Sequence, residues 1–104
     1  MIIVTTEHIQ GKEIEKVLGL ARGNTVRARA VGKDIMAMLR NLVGGEVTEY
    51  TKMIAESREQ ALDRMVENAK ALGANAVVNV RFGTSMVMTG AAEILAYGTA
   101  VVVR

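Results

Sequence analysis

The residue types that most often carry chemistry are sparse in this chain. There is no cysteine, and His8 is the single histidine, in a polar stretch near the N-terminus. Disulfides, thiolate metal sites and cysteine nucleophiles are therefore excluded, and only His8 could serve as a histidine base or metal ligand. We interpret His8 as a solvent-facing side chain and expect no catalytic set, so the chain is predicted not to be an enzyme.

Two pairs of methionines offer thioether sulfur, which soft metals accept as a ligand. Met86 and Met88 fall on the same side of a predicted strand, and Met36 and Met38 lie close together in a predicted helix. Methionines at these spacings usually fill cores, so we doubt a metal site and expect no cofactor. A ring of His8 or of Glu93 from several subunits is an arrangement that one sequence leaves open.

Four acidic residues form a ridge along a predicted helix, namely Glu56, Glu59, Asp63 and Glu67. Paired carboxylates can act as acid and base when burial separates their pKa values. These four lie on the polar side of an amphipathic helix, which predicts a solvated surface instead.

Gly44-Gly45 precedes that helix, and helix N-termini attract anions. No Walker lysine–serine pair follows, so the glycine pair is interpreted as a hinge.

A set of polar residues on a predicted β-hairpin is the best candidate for binding. Polar side chains on a buried sheet need partners, either across a subunit boundary or in a small-ligand pocket there. The sequence leaves the register of the hairpin open by one residue, and the register decides which of these side chains share a face. The interface or ligand candidates are Asn79, Arg81, Ser85, Glu93, Tyr97 and Thr99.

A long amphipathic helix over Val47–Leu72 is the element around which the 104 residues are organised. Its apolar residues recur every three or four positions, and Gly73 follows directly. At 1.5 Å per residue it is about 39 Å long. A shorter helix is predicted over Lys33–Val43.

Ile2–Thr5 is predicted to be a first strand, and Thr6–Lys12 a connection. Glu13–Val31 is interpreted as one extended, bent segment with Gly19 and Gly23 as bulges or bends. Its first part also fits a helical turn, so residues 13–22 stay open between strand and helix.

Two long strands, Ala76–Met88 and Ala91–Val103, are predicted to form the hairpin, with Thr89-Gly90 as its turn. Each arm is roughly 43 Å long, matching the helix, which is predicted to lie on it. Alternation places Val78, Val80, Phe82, Met86 and Met88 on one face. The last arm is apolar on both faces, so either layers of the same subunit or a second subunit cover them, and we prefer the second subunit.

Composition narrows the class of protein further. Aromatic residues make up 3% of the chain, so the predicted core is aliphatic. The basic residues are not interleaved with aromatic ones, and no helix-turn-helix or zinc-finger pattern occurs, so we expect no nucleic-acid partner. No apolar run reaches the roughly 20 residues of a membrane span, and no signal peptide is visible. We predict a cytoplasmic protein with no membrane partner.

Several motifs together resemble the YbjQ-like family of small prokaryotic proteins of uncharacterised function, often described as heavy-metal-binding. These are residues 44–50 (GGEVTEY), residues 71–82 (ALGANAVVNVRF) and residues 98–101 (GTAV), with Thr5-Thr6, Gly11-Lys12 and Gly19 near the start. The resemblance covers essentially the whole chain, as a single domain over residues 1–104. It implies an α+β subunit of dodecin-like architecture, with one long and one short helix on one side of an antiparallel sheet. It also implies a ring-shaped homopentamer.

The prediction is therefore an oligomeric, ring-forming protein that binds any small ligand at its subunit interfaces. A heavy-metal-binding module and an unknown enzyme are the alternatives. The resemblance supplies no ligand set for a metal.

Overall fold

The computed structural model describes residues 1–27, 48–88 and 91–104. These residues form one helix and four strands: β1 Ile2–Ile3, β2 Ile14–Arg27, α1 Thr48–Ala71, β3 Ala76–Met88 and β4 Ala91–Val103. The predicted helix over residues 33–43, the glycine pair at 44–45, residues 28–31 of the predicted extended segment and the turn at 89–90 lie outside the described residues.

The strands form a single sheet in the order β1-β3-β4-β2. The predicted hairpin is confirmed with its bounds, because β3 and β4 pair antiparallel. β2 also pairs antiparallel with β4, so residues 14–22 are strand and not helix. β1 runs parallel to β3. The sheet is therefore mixed, and the prediction of an antiparallel sheet is wrong at β1, because alternation identifies a strand without giving its direction.

α1 buries one row of residues spaced four apart, Ser57, Ala61, Met65 and Ala69. Three of the four are small, so the helix backbone can approach the sheet closely. The acidic ridge lies on the opposite side and is exposed, which confirms that it is solvated. No helix among residues 1–27, 48–88 and 91–104 has both the length and the apolarity to span a bilayer.

The C-terminus of α1 is closed by a Schellman motif, as Gly73 predicted. The Gly73 N–H donates to the Lys70 carbonyl at 3.0 Å, and the Ala74 N–H donates to the Ala69 carbonyl at 3.0 Å. Gly73 has φ +90°, a conformation that costs glycine little because it has no Cβ. The motif ends the helix and directs the chain into β3.

At Gly23 the backbone of α1 lies directly against the strand, and the prediction of a bulge or bend there is wrong. The register of β2 on β4 is regular through Gly23, and its two irregularities lie earlier in the strand, between Ile14 and Lys16 and between Val17 and Gly19. A Cβ built on Gly23 would lie 2.6 Å from the Arg64 carbonyl carbon and would also overlap backbone atoms of Met65 and Ala61. Glycine is needed here because the α1 backbone occupies the place of a side chain.

The long helix packs chiefly on β2, less on β4 and hardly on β3. The prediction that the β3–β4 hairpin is its partner is therefore only half right. The reason is the row of small residues on α1, which meets Gly23 and Ala21 in the middle of β2. Within this interface the buried Thr25 hydroxyl donates to the Ser57 carbonyl at 3.1 Å.

A β-bulge at Asn79 moves the side chains of β3 from one face of the sheet to the other. Asn79 has φ +54°, and the register against β4 shifts between Val78 and Arg81. Val77 and Val80 consequently both pack on the helix side, whereas Val78 packs on the opposite face. The prediction that Val78 and Val80 share a face is wrong, because the extra residue reverses the alternation.

The face of the sheet opposite α1 has its own small core at one end. Val4 and Ile9 from the N-terminal segment pack against it within the same subunit. The buried residues of this core are Ala76, Val78, Val101 and Val103. Residues of the same chain thus cover this end of the sheet.

Candidate functional site

The face of the sheet opposite α1, here called the helix-free face, carries most of the predicted candidates. Residues paired directly across antiparallel strands share a face. The register aligns three rows across β2, β4 and β3 on this face, which are Arg22–Tyr97–Arg81, Asn24–Leu95–Gly83 and Val26–Glu93–Ser85. Leu20 and Thr99 pair in the adjoining row.

Five of the six predicted residues lie on the helix-free face: Arg81, Ser85, Glu93, Tyr97 and Thr99. They are spread over about four rows, so they do not form one pocket. Ser85 is exposed, and Glu93 and Thr99 are half-buried. The sixth, Asn79, is the bulge residue, and its N–H donates to the Thr6 carbonyl at 3.0 Å. We therefore assign Asn79 to the architecture and not to a pocket.

Arg81 holds the N-terminal segment against the sheet. Its guanidinium donates to the Thr5 carbonyl and to the Val80 carbonyl, each at 2.8 Å. Arg81 and Arg22 flank Tyr97 in the same row. Because Arg81 already donates to two carbonyls, Arg22 is the cation of this row better placed to bind a ligand.

A cleft of about 490 Å³ lies where the helix-free face meets the edge of β2. It is lined by Arg22, Asn24, Asn68, Glu93 and Leu95. Glu93 is fixed by the Asn24 side-chain amide, which donates to its Oε2 at 2.9 Å. Asn68 reaches the same edge from α1, and its Oδ1 accepts from the Arg22 backbone N–H at 2.9 Å. Three elements, β2, β4 and α1, therefore build one polar cleft.

The cleft offers a guanidinium, a carboxylate, two amides and one apolar side chain. None of its five lining residues is a cysteine, serine, threonine or histidine, so it contains no nucleophile–base pair of the usual kind. Its groups suit hydrogen bonding to a small polar molecule that carries both donors and acceptors.

The β2 and α1 members of the cleft were not predicted from the sequence, and these are Arg22, Asn24 and Asn68. A usable signal was present in residues 20–26 (LARGNTV), where polar side chains at 22 and 24 alternate with small residues at 21 and 23. Treating Gly23 as a bend interrupted that alternation. Asn68 gave no signal, because its role depends on how closely α1 lies on Gly23.

The described residues do not fit a metal centre built within a single chain. Across residues 1–27, 48–88 and 91–104, no three His, Cys, Asp or Glu side chains are grouped as such a site requires. His8 lies 3.3 Å from the Glu7 carboxylate, and its side chain is 83% exposed. Met86 is exposed as well. One imidazole with one carboxylate falls short of the three or four ligands of a structural or catalytic zinc site.

The described residues form an α+β fold with a mixed four-stranded sheet, one helix and a polar cleft at the edge of β2. The chain belongs to the YbjQ family, whose profile carries the description "Putative heavy-metal-binding" and matches residues 1–104. The family predicted from the sequence is thus confirmed.

Relatives of this family are similar to the chain over nearly its full length. A UPF0145 protein of Methanosarcina acetivorans is 68% identical over 101 residues, covering 97% of this chain and 95% of the relative. A UPF0145 protein of Archaeoglobus fulgidus is 60% identical and covers all of this chain and 96% of the relative. One from Clostridioides difficile is 61% identical, covering all of this chain and 93% of the relative.

A solved structure supports the fold. The crystal structure of a protein of unknown function from Pediococcus pentosaceus, of the DUF74 family, superimposes with a TM-score of 0.62. The match covers all of this chain and 98% of that one, at 18% sequence identity. These names give no reaction or substrate.

Proposed function

We propose that the chain is a non-enzymatic subunit of a ring-shaped homo-oligomer of dodecin-like architecture, a pentamer as the family resemblance implies. Its shape is the observation that carries the proposal. The extents are 53 × 26 × 16 Å and the radius of gyration is 16.9 Å. A compact globular chain of this length has a radius of gyration of about 13 Å. An isolated subunit is therefore far more extended than a monomer of its size.

The accessible surface supports assembly in the same way. It is 7061 Å², whereas a monomeric protein of this mass exposes about 5,700 Å². Large apolar side chains contribute to the excess on the helix-free face, where Leu20 is 58% exposed and Val26 is 52% exposed. Apolar surface of this kind is stabilised when a neighbouring subunit covers it.

Sedimentation equilibrium of the purified chain at micromolar concentration tests the assembly. We expect about 56 kDa, five times the 11.2 kDa of the chain. A monomer at that concentration would refute the proposal as a whole. A different closed oligomer would refute the pentamer alone. The extended shape of the chain requires that neighbouring copies cover its surface, but it does not fix how many copies there are.

Any small ligand is proposed to bind in the cleft at the edge of β2, which lies on the face that assembly would cover. Native mass spectrometry of the assembled protein would detect a molecule retained from the cell. We expect retention to be lost in Arg22→Gln and kept in Arg58→Gln, a matched change on the exposed surface of α1. A ligand retained equally by both variants would place its site elsewhere.

Heavy-metal binding is the second candidate, and the family description is the observation that favours it. Titration of the assembled protein with copper(I) and zinc would test it, beside His8→Ala and Met86→Ala. Tight binding with a fixed ratio of metal to subunit, lost in either variant, would establish this function. Absence of tight binding by the unmodified protein would remove it.

A further inference from the structure

The cleft at the edge of β2 carries opposite charges at its two ends. Arg22 pairs with Tyr97, whereas Glu93 pairs with Val26, so the arginine and the glutamate are four residues apart along β2, from position 22 to position 26. At about 3.3 Å per residue this separation is about 13 Å. Within the described part of the chain, no ion pair joins the two side chains. The guanidinium and the carboxylate can therefore bind two different parts of one molecule.

The Arg22 end of the cleft offers hydrogen-bond donors. The Oδ1 of Asn68 accepts from the Arg22 backbone N–H at 2.9 Å, and this bond fixes the orientation of the Asn68 amide. The Nδ2 of Asn68 is left to donate. Among residues 1–27, 48–88 and 91–104, no acceptor occupies the Arg22 guanidinium. A guanidinium beside an amide N–H suits a carboxylate, because a charged acceptor strengthens both hydrogen bonds.

The Glu93 end of the cleft offers hydrogen-bond acceptors. The Asn24 amide donates from Nδ2 to the Glu93 Oε2 at 2.9 Å, which leaves the Oδ1 of Asn24 to accept. In the described residues no donor occupies the second carboxylate oxygen of Glu93. Glu93 is half-buried, so its charge is screened less by salt than that of an exposed carboxylate. This end suits an ammonium group, which has three donors and no acceptor.

The middle of the cleft is apolar on one side. Leu95 pairs with Asn24 in the row between the rows of Arg22 and Glu93, and its side chain is half-buried. Methylene groups of a ligand would be removed from water by contact with this side chain. The volume of about 490 Å³ falls within the range of about 300–1,000 Å³ that is usual for small-molecule sites. The cleft thus matches a small molecule with two charged ends and an apolar middle.

We propose that this cleft binds a linear zwitterion, a molecule whose carboxylate and ammonium lie at the two ends of an apolar chain. The carboxylate binds Arg22 and Asn68. The ammonium binds Glu93 and Asn24, and the chain lies against Leu95. This inference rests on the proposed small-ligand site in the cleft and names the chemical class of its ligand. Basic amino acids, which carry a carboxylate and a distant ammonium on an apolar stem, have this chemistry.

Isothermal titration calorimetry of the purified full chain tests the class with four probes, which are 6-aminohexanoate, hexanoate, hexylamine and glycine. We expect 6-aminohexanoate to bind about tenfold or more tightly than hexanoate or hexylamine, because each of these lacks one charge-assisted contact. Glycine carries both charges too close together to reach both ends of the cleft, so it should bind at least as weakly as they do. Absence of 6-aminohexanoate binding, or equal binding of any other probe, would overturn the proposal.

Two variants locate the contacts, with Arg58→Gln on the exposed surface of α1 as their control. Glu93→Gln should bind 6-aminohexanoate no better than hexanoate, and Arg22→Gln should bind it no better than hexylamine. Arg58→Gln should bind as the unmodified chain does, and far-UV circular dichroism checks that all three fold. Unchanged binding in both cleft variants would refute the inference.

The proposed assembly and the ligand class fail separately. If sedimentation shows a monomer while 6-aminohexanoate binds in the expected pattern, the assembly is refuted and the zwitterion site stands. If the protein assembles and retains a molecule that depends on Arg22, but that molecule lacks a carboxylate or an ammonium, the cleft remains the ligand site and only the zwitterion class is refuted.

Discussion

Replacing Gly23 by alanine tests the contact that fixes the helix on the sheet. The added Cβ would lie 2.6 Å from the Arg64 carbonyl carbon, whereas ordinary contacts are 3.4–4 Å. The obstacle is helix backbone, which cannot rotate away as a side chain does. α1 must therefore retreat by roughly 1 Å, and a gap of 0.5–1 Å loses about a quarter to a half of the dispersion energy of each contact.

The cost falls on the most buried residues of the subunit, because Ala61, Met65 and Ala69 are fully buried against the sheet. Overpacking substitutions typically destabilise by about 1–3 kcal/mol. We expect Gly23→Ala to lie at the upper end, near 3 kcal/mol. A domain of this size loses about 4–8 °C of melting temperature per kcal/mol, so the midpoint should fall by roughly 12–24 °C.

Two other glycines of the sheet provide matched controls. A Cβ on Gly83 would meet nothing closer than Tyr97 Cε1 at 3.9 Å, so Gly83→Ala should be neutral or stabilising by up to about 1 kcal/mol. A Cβ on Gly98 would lie 2.7 Å from Val77 Cγ1 and 2.9 Å from the Val78 carbonyl oxygen. Gly98→Ala should therefore fall between the other two.

Urea unfolding followed by far-UV circular dichroism, at one fixed protein concentration, measures the three variants. The expected order of stability is Gly83→Ala, then Gly98→Ala, then Gly23→Ala. If Gly23→Ala and Gly83→Ala unfold within about 0.5 kcal/mol of each other, the close approach of α1 to β2 is refuted.

Substitutions at three further positions test individual contacts by the same measurement. Asn79→Gly should change stability by less than about 0.5 kcal/mol, whereas Asn79→Val should cost about 1–2 kcal/mol. The reason is that only glycine and a few polar residues accept a positive φ easily. Equal effects of the two substitutions would contradict the bulge. Asn75→Ala should cost about 1–3 kcal/mol, because the Asn75 side chain donates to the Val103 carbonyl at 2.8 Å and accepts from the Val103 N–H at 2.7 Å. A neutral result would show that other contacts hold the end of β4. Asn68→Ala should cost about 1 kcal/mol of stability. Asn68→Asp should keep most of that stability, because its carboxylate retains an Oδ1 acceptor for the Arg22 N–H. Equal losses in the two variants would argue against that hydrogen bond.

The parts of the fold that follow from local pattern were predictable. Three-and-four spacing located α1 to within one residue at each end, and Gly73 marked its termination. Alternation and turn residues located β3 and β4 at their observed bounds. These features depend on residues close in sequence, so periodicity is sufficient to find them.

The parts that depend on contacts between distant residues were not predictable. In the sequence, a glycine that bends a strand looks the same as a glycine that makes room for a helix backbone. Only the position of α1 shows that Gly23 is the second kind. Asn79 does not reveal its positive φ in the sequence, so the exchange of faces in β3 was invisible. For the same reason, only one of the five residues that line the cleft was named from the sequence. Its β4 member Glu93 was named, but its Asn24 partner lies 69 residues away.

The bulge at Asn79 also fixes how many residues this part of the chain can contain. Ahead of it β3 is held by the helix end at Gly73, and beyond it the strand is aligned with β4 from Arg81 onward. Deleting one residue between these points would turn Phe82, Thr84 and Met86 to the other side of the sheet. The segment should therefore tolerate changes of side chain far better than a single insertion or deletion.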